Sequence, residues 1–134
     1  MLLTKASEYA LMALITICKH EKAVDVLTLS DNLKLSRSFL AKVLQSLAKA
    51  GILASKKGSG GGFVLARPSE TIMIGELLRA VDNHCGAVFT CSSTLTKCPS
   101  GKSSICAVWP FLNRLQNKID AVLETTSLAD ITQD

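Results

Sequence analysis

The spacing of apolar residues changes at Gly51, and this change most constrains what the chain can fold into. Before Gly51 the apolar residues recur every three or four positions, which is the spacing of helices that bury one face. After Gly51 apolar and polar residues alternate through 52–57 and again through 63–67, which is the spacing of two strands in a hairpin. The sequence therefore predicts a mainly α fold with a small β-hairpin.

Three helices are predicted ahead of the hairpin. The first covers 3–20, with Thr4 as its N-cap. A short helix over 28–33 follows, and a third begins after Ser36, which can cap it, and ends at Gly51. Two helices joined by a tight turn and followed directly by a hairpin are the arrangement of a winged helix-turn-helix.

Basic residues are concentrated in the first half of the chain. Residues 1–70 hold ten Lys and Arg against five Asp and Glu, whereas residues 71–134 hold five against six. No acidic residue lies between Asn32 and Ser69, where seven basic residues occur. This distribution indicates binding to a polyanion such as nucleic acid, with an ordinary solvated basic face as the alternative.

The third predicted helix has the two faces that a DNA-reading helix needs. Small polar and basic residues lie on one side, and Phe39, Leu40 and further apolar residues lie on the other. Arg37 is the candidate for reading guanine, because its planar fork can make a bidentate contact, and Lys42 is a candidate phosphate contact. The predicted DNA-binding residues are Ser36, Arg37, Ser38 and Lys42 on the helix and Lys56, Lys57, Gly60 and Gly61 on the hairpin.

Two further helices are predicted after the hairpin. A short one covers 72–81, and a long one begins near Cys106, with Pro110 tolerated in its first turn. The long helix carries an apolar seam with heptad spacing, which favours a homodimer, with packing onto its own chain as the alternative. The seam residues are Val108, Leu112, Leu115, Ile119 and Val122.

These elements predict three parts. Residues 1–82 form a winged-helix DNA-binding domain, 83–106 a cysteine-rich loop, and 107–134 a dimerisation helix with a C-terminal tail. The longest apolar stretch, 10–18, is too short to cross a bilayer, and the N-terminus lacks the features of a signal peptide. We therefore expect a cytoplasmic protein that does not contact membranes.

The cysteines favour a metal or redox site. Five cysteines in a cytoplasmic chain are expected to be reduced, metal-binding or reactive, and Cys18, on an apolar helix face, is expected to be buried packing. Cys91, Cys98 and Cys106 come from one irregular loop and can converge on a metal. The paired spacing of structural zinc sites is absent, whereas iron–sulfur clusters tolerate longer intervals and a non-cysteine ligand. Spacing alone leaves an iron–sulfur, a zinc and a reactive-thiol site open.

The glycine-containing motifs do not predict an enzyme. The run 58–62 is followed by a strand rather than a helix, so it is not a dinucleotide-binding fingerprint. The sequence 101–103 ends like a nucleotide-binding P-loop, but Thr96 stands where that motif requires its first glycine.

A thiol- or metal-binding protein without a DNA role is the alternative to a DNA-binding protein from a different functional class.

Several segments resemble the Rrf-type winged-helix transcription regulators. They are the opening 3–11, the run 35–47, the segment 49–53, the glycine-rich hairpin 57–68 and the closing 127–131. The resemblance implies a bacterial repressor that forms a homodimer through its long C-terminal helix and binds a palindromic operator in double-stranded DNA. In cluster-bearing members, the cysteines that match Cys91, Cys98 and Cys106 ligate an iron–sulfur cluster.

The fourth ligand distinguishes the branches of this family. IscR-like members use a histidine shortly after the third cysteine, but Trp109 and Pro110 occupy that neighbourhood here. The nitric-oxide-sensing NsrR-like members resemble the chain better, since they take a carboxylate from the other subunit at the position of Glu8. The NsrR-like resemblance favours a [4Fe-4S] over a [2Fe-2S] cluster. It implies that the protein senses nitric oxide, redox state or iron–sulfur status through this cluster. His84 and Cys85 are alternative ligands.

A cluster-free regulator is the alternative within the same family. The branch typified by CymR lacks a cluster, so the resemblance also allows control by thiol oxidation, a small molecule or a partner protein. Such a regulator keeps the DNA-binding role.

Overall fold

The computed structural model describes residues 3–82, 86–89, 91–94, 98–102 and 104–133. Within these residues the chain forms six α-helices and one antiparallel hairpin, so the predicted mainly α fold with a small hairpin is confirmed. In chain order the elements are α1 (Lys5–Cys18), α2 (Val26–Leu33), α3 (Arg37–Lys49), β1 (Leu53–Lys56), β2 (Gly62–Leu65), a 3-10 turn (Ser69–Thr71), α4 (Ile74–Val81), α5 (Trp109–Thr125) and α6 (Leu128–Thr132).

The core lies where α1, α3 and α4 pack against one another. Leu14, Leu44 and Leu77, one from each helix, are fully buried there, and Leu128 of α6 joins them. Burying such a side chain contributes about 1.5–3 kcal/mol relative to leaving it exposed. The helical spacing before Gly51 thus becomes the packing surface that holds α3 in place.

Two helix starts follow local capping. Thr4 and Ser7 form a capping box, in which the Thr4 amide donates to Ser7 Oγ over 2.8 Å, as expected for the predicted N-cap. The second helix begins at Val26, two residues before the predicted start, because Asp25 Oδ1 accepts a hydrogen bond from the Thr28 amide over 2.6 Å. Ser36 occupies the N-cap position of α3 without a side-chain cap.

The hairpin is anchored to the helical part of the chain. Leu53 pairs with Leu65 and Lys56 with Gly62. Two hydrogen bonds, 2.8 and 3.0 Å long, join the backbones of Phe63 and Val24. A side chain at Gly62, where φ is +142°, would collide with the Val24 backbone, so this close approach requires glycine.

The C-terminal end of α5 is fixed to the start of α4. The Ile74 amide donates to the Thr126 carbonyl over 2.9 Å, and the Leu128 amide donates to the Ile72 carbonyl over 2.8 Å. Arg79 and Glu124 add an ion pair across the same joint. The long helix is therefore attached to the helix-turn-helix core at one end.

None of the helices in the described part of the chain combines the length and the apolar composition needed to span a membrane. The predicted boundaries of the three parts, at 82 and 106, remain a prediction.

Candidate nucleic-acid interface and cysteine site

The two faces of α3 separate as predicted. Leu40, Val43, Leu44 and Leu47 are buried against the core. The polar residues on the opposite side project into solvent, where base edges and phosphates could reach them. These exposed residues are Ser36, Arg37, Ser38, Lys42 and Gln45.

Phe39 departs from the apolar face to which the sequence assigns it. Its side chain is 37% exposed, and its ring meets Tyr9 of α1 edge to face, with the ring centroids 5.0 Å apart. Such edge-to-face pairs add about 0.5–1.5 kcal/mol beyond the area they bury. Phe39 therefore ties the first turn of α3 to α1 at the border of the exposed face.

The hairpin presents its lysines and its glycine turn to solvent. Lys56, Lys57 and Gly60 are exposed, and Gly60, with φ at +74°, has open space where a side chain would stand. Gly61 is half-buried, and a Cβ there would lie 2.5 Å from the Lys56 carbonyl oxygen. The turn itself thus requires glycine at Gly61, whereas Gly60 leaves room for an approaching backbone.

The basic residues divide into paired and unpaired groups. Arg67 forms an ion pair with Glu76, and the hydrogen bond from Arg67 to that carboxylate raises the pKa of the guanidinium. In the part of the chain that the structure describes, Arg37, Lys42 and Lys57 have no such carboxylate partner. Their charge is therefore available to an external anion.

The three cysteines of the predicted site line a single cavity. Cys91, Cys98 and Cys106 contribute to a largely apolar cavity of about 450 Å³ beside the N-terminal end of α5. Cys91 is buried, with 4% of its surface exposed, and the other two are half-buried. The remaining lining residues are Val88, Phe89, Pro99, Ser100, Lys102, Val108 and Leu112.

The donor set suits an iron–sulfur cluster. Iron–sulfur clusters are held by thiolates and tuned by hydrogen bonds to sulfur, and the Lys102 amide donates to Cys98 Sγ over 3.4 Å. In the geometry of the described residues, no three His, Cys, Asp or Glu side chains are grouped closely enough to hold a metal ion. The thiols therefore share a cavity without forming a closed metal site.

Polar side chains of α5 hold the cysteine segment, which comprises the described residues of 86–106, and the sequence pattern does not predict this role for them. Trp109 Nε1 donates to the Cys91 carbonyl over 2.9 Å, and Asn113 Nδ2 donates to the Ser92 carbonyl over 3.0 Å. Gln116 is buried, with 3% exposure, on the same side of the helix. Positions 109, 113 and 116 are spaced four and three residues apart, a helical stripe that the sequence does contain.

The remaining candidate ligands do not line the cavity within one chain. Glu8 is exposed on α1, where its carboxylate accepts from Lys5 Nζ over 2.9 Å. The NsrR-like resemblance places the Glu8 ligand in the other subunit, so this assignment stays a prediction. His84 and Cys85 lie outside the described residues. Cys18, expected to be buried, is half-buried at the end of α1.

The apolar seam of α5 is exposed at both ends in the single chain, and its middle residues Leu112, Leu115 and Ile119 are half-buried. Val108 and Val122, at its two ends, are 57% and 60% exposed, and neighbouring Phe111 is 55% exposed. Val108 and Leu112 also line the cysteine cavity. The seam and the cavity are therefore continuous surfaces.

Comparison with known proteins identifies relatives over the whole chain. The Rrf2 family model, described as an iron-dependent transcriptional regulator, matches residues 3–134. The HTH-type transcriptional regulator IscR of Vibrio cholerae is 30% identical over 141 residues, which cover 100% of this chain and 76% of the relative.

Solved structures share the fold. IscR of T. potens superposes with a TM-score of 0.77 at 23% identity, covering 98% of this chain and 86% of that one. CymR (YrzC), described as the global cysteine regulator of B. subtilis, gives a TM-score of 0.76 at 22% identity, covering 98% and 95%. The predicted winged-helix architecture is thus confirmed, while the NsrR-like branch remains a prediction.

Proposed function

The chain belongs to the Rrf2 family of transcriptional regulators, and we propose that it is a homodimeric repressor that senses nitric oxide, redox state or iron–sulfur status through a cluster at Cys91, Cys98 and Cys106. The observation that carries this proposal is the gathering of all three cysteines around one apolar cavity. Apolar walls keep water away from bound thiolates, and solvent exposure is one of the factors that set the potential of such clusters.

The DNA-binding side of the proposal rests on α3 and the hairpin. We assign base contacts to Ser36, Arg37 and Ser38, which are exposed in the first turn of α3. We assign phosphate contacts to Lys42 and to the hairpin, where an exposed glycine turn fits the edge of a groove. The hairpin residues in this assignment are Lys56, Lys57, Gly60 and Gly61.

A second copy of the chain would complete the assembly. The apolar seam from Val108 to Val122, exposed at both ends, offers a surface on which the same surface of a second copy could pack about a two-fold axis. We assign the fourth cluster ligand to Glu8 of the partner subunit, as the resemblance to the NsrR-like branch implies. The same resemblance favours a [4Fe-4S] over a [2Fe-2S] cluster. When bound, the cluster would offer an iron that is open to nitric oxide or oxygen because carboxylate is a weaker ligand than thiolate.

This chain's own residues would convert a change at the cavity into a change in DNA binding. Trp109 and Asn113 tie the peptides of Cys91 and Ser92 to α5. The far end of α5 is hydrogen-bonded to α4, which packs on α3 in the common core. A change in the cysteine segment would therefore alter the spacing between the two α3 helices of a dimer.

A cluster-free regulator is the second candidate. It is favoured by the open arrangement of the thiols, since no three metal-binding side chains among the described residues are grouped closely enough to hold an ion. In that case the thiols would be the sensor, and their oxidation would alter the same segment.

Native mass spectrometry and absorption spectroscopy of protein purified without oxygen would test the proposal. We expect a dimer with a four-iron mass increment per subunit and a coloured cluster, which nitric oxide converts to a form that releases operator DNA. A two-iron increment would restore the IscR-like assignment. A colourless dimer after reconstitution would overturn the iron–sulfur proposal and leave the cluster-free regulator.

Salt-dependent DNA binding would test the DNA role separately. Specific affinity should fall steeply as salt rises, because each neutralised phosphate releases counterions. A protein that binds iron but shows no salt-dependent affinity for any DNA would support a metal-binding protein without a DNA role.

A further inference from the structure

The side-chain amide of Gln116 is hydrogen-bonded on every side. Its Oε1 accepts from the Val88 amide over 2.8 Å and from Ser92 Oγ. Its Nε2 donates to the Gly86 carbonyl and to Asp120 Oδ1, each over 2.7 Å. An amide has two acceptor sites and two donor hydrogens, and all four lie against a partner, with the single Ser92 hydroxyl hydrogen also within reach of the Phe89 carbonyl over 2.8 Å.

Three of these four contacts reach the segment that precedes and follows Cys91. Gly86 and Val88 lie before it and Ser92 lies directly after it. Gln116 is also the buried residue of α5, with only 3% of its surface exposed. A buried polar group of this kind is costly to leave unpaired, so its contacts hold the segment in one geometry.

From this arrangement we infer that Gln116 is the positioning residue for Cys91, the buried member of the three thiols. Without its amide, the hydrogen bonds from α5 to the described residues of the segment would be reduced to those that Trp109 and Asn113 donate to the Cys91 and Ser92 carbonyls. Cys91 would then move out of its buried position and become accessible to solvent reagents. The inference deepens the proposed function and rests on it, because it concerns the same three cysteines.

Alkylation of the metal-free, reduced protein tests this directly. N-ethylmaleimide is added for increasing times, and mass spectrometry follows each cysteine separately. In the natural chain Cys91 should react more slowly than Cys98 and Cys106, which are half-buried. In Gln116→Leu the rate at Cys91 should rise by about tenfold to a hundredfold, since polar groups of Gly86, Val88 and Ser92 lose their partner together.

Trp109 supplies a second readout, because the chain has a single tryptophan. Its indole N–H binds the Cys91 carbonyl, so loosening the segment should shift its emission to longer wavelength. Lys118→Leu is the matched control, because Lys118 is exposed two residues further along the same helix. It should change neither the alkylation pattern nor the emission.

The outcomes separate the inference from the proposed function. A folded Gln116→Leu protein, with unchanged circular dichroism and no selective rise at Cys91, overturns the inference. If that variant unfolds, Ser92→Ala decides, and it should raise the Cys91 rate severalfold over Cys98 or else overturn the inference too. A different result would overturn the proposed function: the natural chain would take up no iron on reconstitution.

Discussion

The helix-turn-helix core and the cysteine segment are held together in different ways. The core of α1, α3 and α4 is built from fully buried aliphatic side chains such as Leu14, Leu44 and Leu77. Among the described residues of 86–106, only Cys91 and Ser92 are buried, and hydrogen bonds from α5 hold their peptides. Apolar burial gives the core its stability, whereas the polar contacts give the segment one geometry that chemistry at the thiols can change.

The largest expected effect is on the free energy of unfolding, and it comes from a substitution in the helix-turn-helix core. Leu44→Ala removes a fully buried side chain between α3 and its neighbours, so the free energy of unfolding should fall by about 2–5 kcal/mol. Cys98→Ser, in the segment, should lower the same free energy by less than about 1 kcal/mol because the thiol is half-buried. Urea denaturation of the metal-free proteins measures both values. Equal losses would show that the segment contributes to the core.

The next effect concerns the exposed face of α3. Arg37→Ala should weaken operator binding by about 1–3 kcal/mol and reduce discrimination against a changed guanine, since the bidentate contact is lost. Fluorescence anisotropy with the operator and with a scrambled duplex measures both. If the solvent-exposed Arg37 makes no base contact, Arg37→Ala should change the binding free energy of neither the operator nor the scrambled duplex.

Lys57→Ala is the matched control on the hairpin. It should weaken binding to all duplexes alike and lower the slope of log affinity against log salt by about one. If Lys57→Ala instead changes the sequence preference more than Arg37→Ala does, the assigned roles of the helix and the hairpin are exchanged.

The fold could be predicted from the sequence largely because it depends on periodic patterns. The helical spacing before Gly51 and the alternation after it locate α1, α3 and the hairpin, and Thr4 and Gly51 mark two helix boundaries. Each of these signals is local, so no knowledge of the tertiary contacts is needed. The apolar pattern predicts the start of α2 two residues late because Asp25, the cap, lies outside that pattern.

The contacts of the candidate site could not be predicted in the same way. The pairing of Val24 with Phe63 joins residues far apart in sequence, and neither residue signals it. Gln116 looks like a solvated helix residue until its partners at Gly86 and Ser92 are known. Such contacts depend on how an irregular segment folds back on a helix, and irregular segments have no period.

A substitution with a smaller effect tests whether the apolar seam of α5 binds a second copy of the chain. Val122 is 60% exposed in the single chain, so Val122→Glu should leave the folding of the monomer unchanged. A charge buried in an apolar interface should weaken dimerisation by about tenfold or more, because it loses water without gaining a partner. Analytical ultracentrifugation over a range of concentrations measures the dissociation constant.

Lys118→Glu provides the control for the seam, because Lys118 is exposed on α5 outside the apolar series. It places the same carboxylate on the same helix, with a larger change in net charge, and it should leave dimerisation close to that of the natural chain. A dimer that tolerates Val122→Glu would place the contact elsewhere on the surface.

The smallest effect lies at the joint between the two regions, where Arg79 of α4 pairs with Glu124 of α5. The hydrogen bond from Arg79 lowers the pKa of Glu124 below its ordinary value of 4.5. The pair therefore stabilises the fold in full above pH 4.5, and the stabilisation is lost as the pH falls through the lowered pKa. Because both side chains are about half exposed, a double-mutant cycle with Arg79→Ala and Glu124→Ala should give only about 0.2–1 kcal/mol at pH 7.

The pH dependence of that cycle distinguishes an ion pair from simple packing. If the joint works through charge, the coupling energy from urea denaturation should diminish as the pH falls from 4.5 through the lowered folded pKa of Glu124, and it should also weaken in high salt. A coupling energy that stays constant with pH and salt would show that Arg79 and Glu124 act through contact alone. In that case the backbone hydrogen bonds of Ile74 and Leu128 would be the connection between α5 and the DNA-binding core.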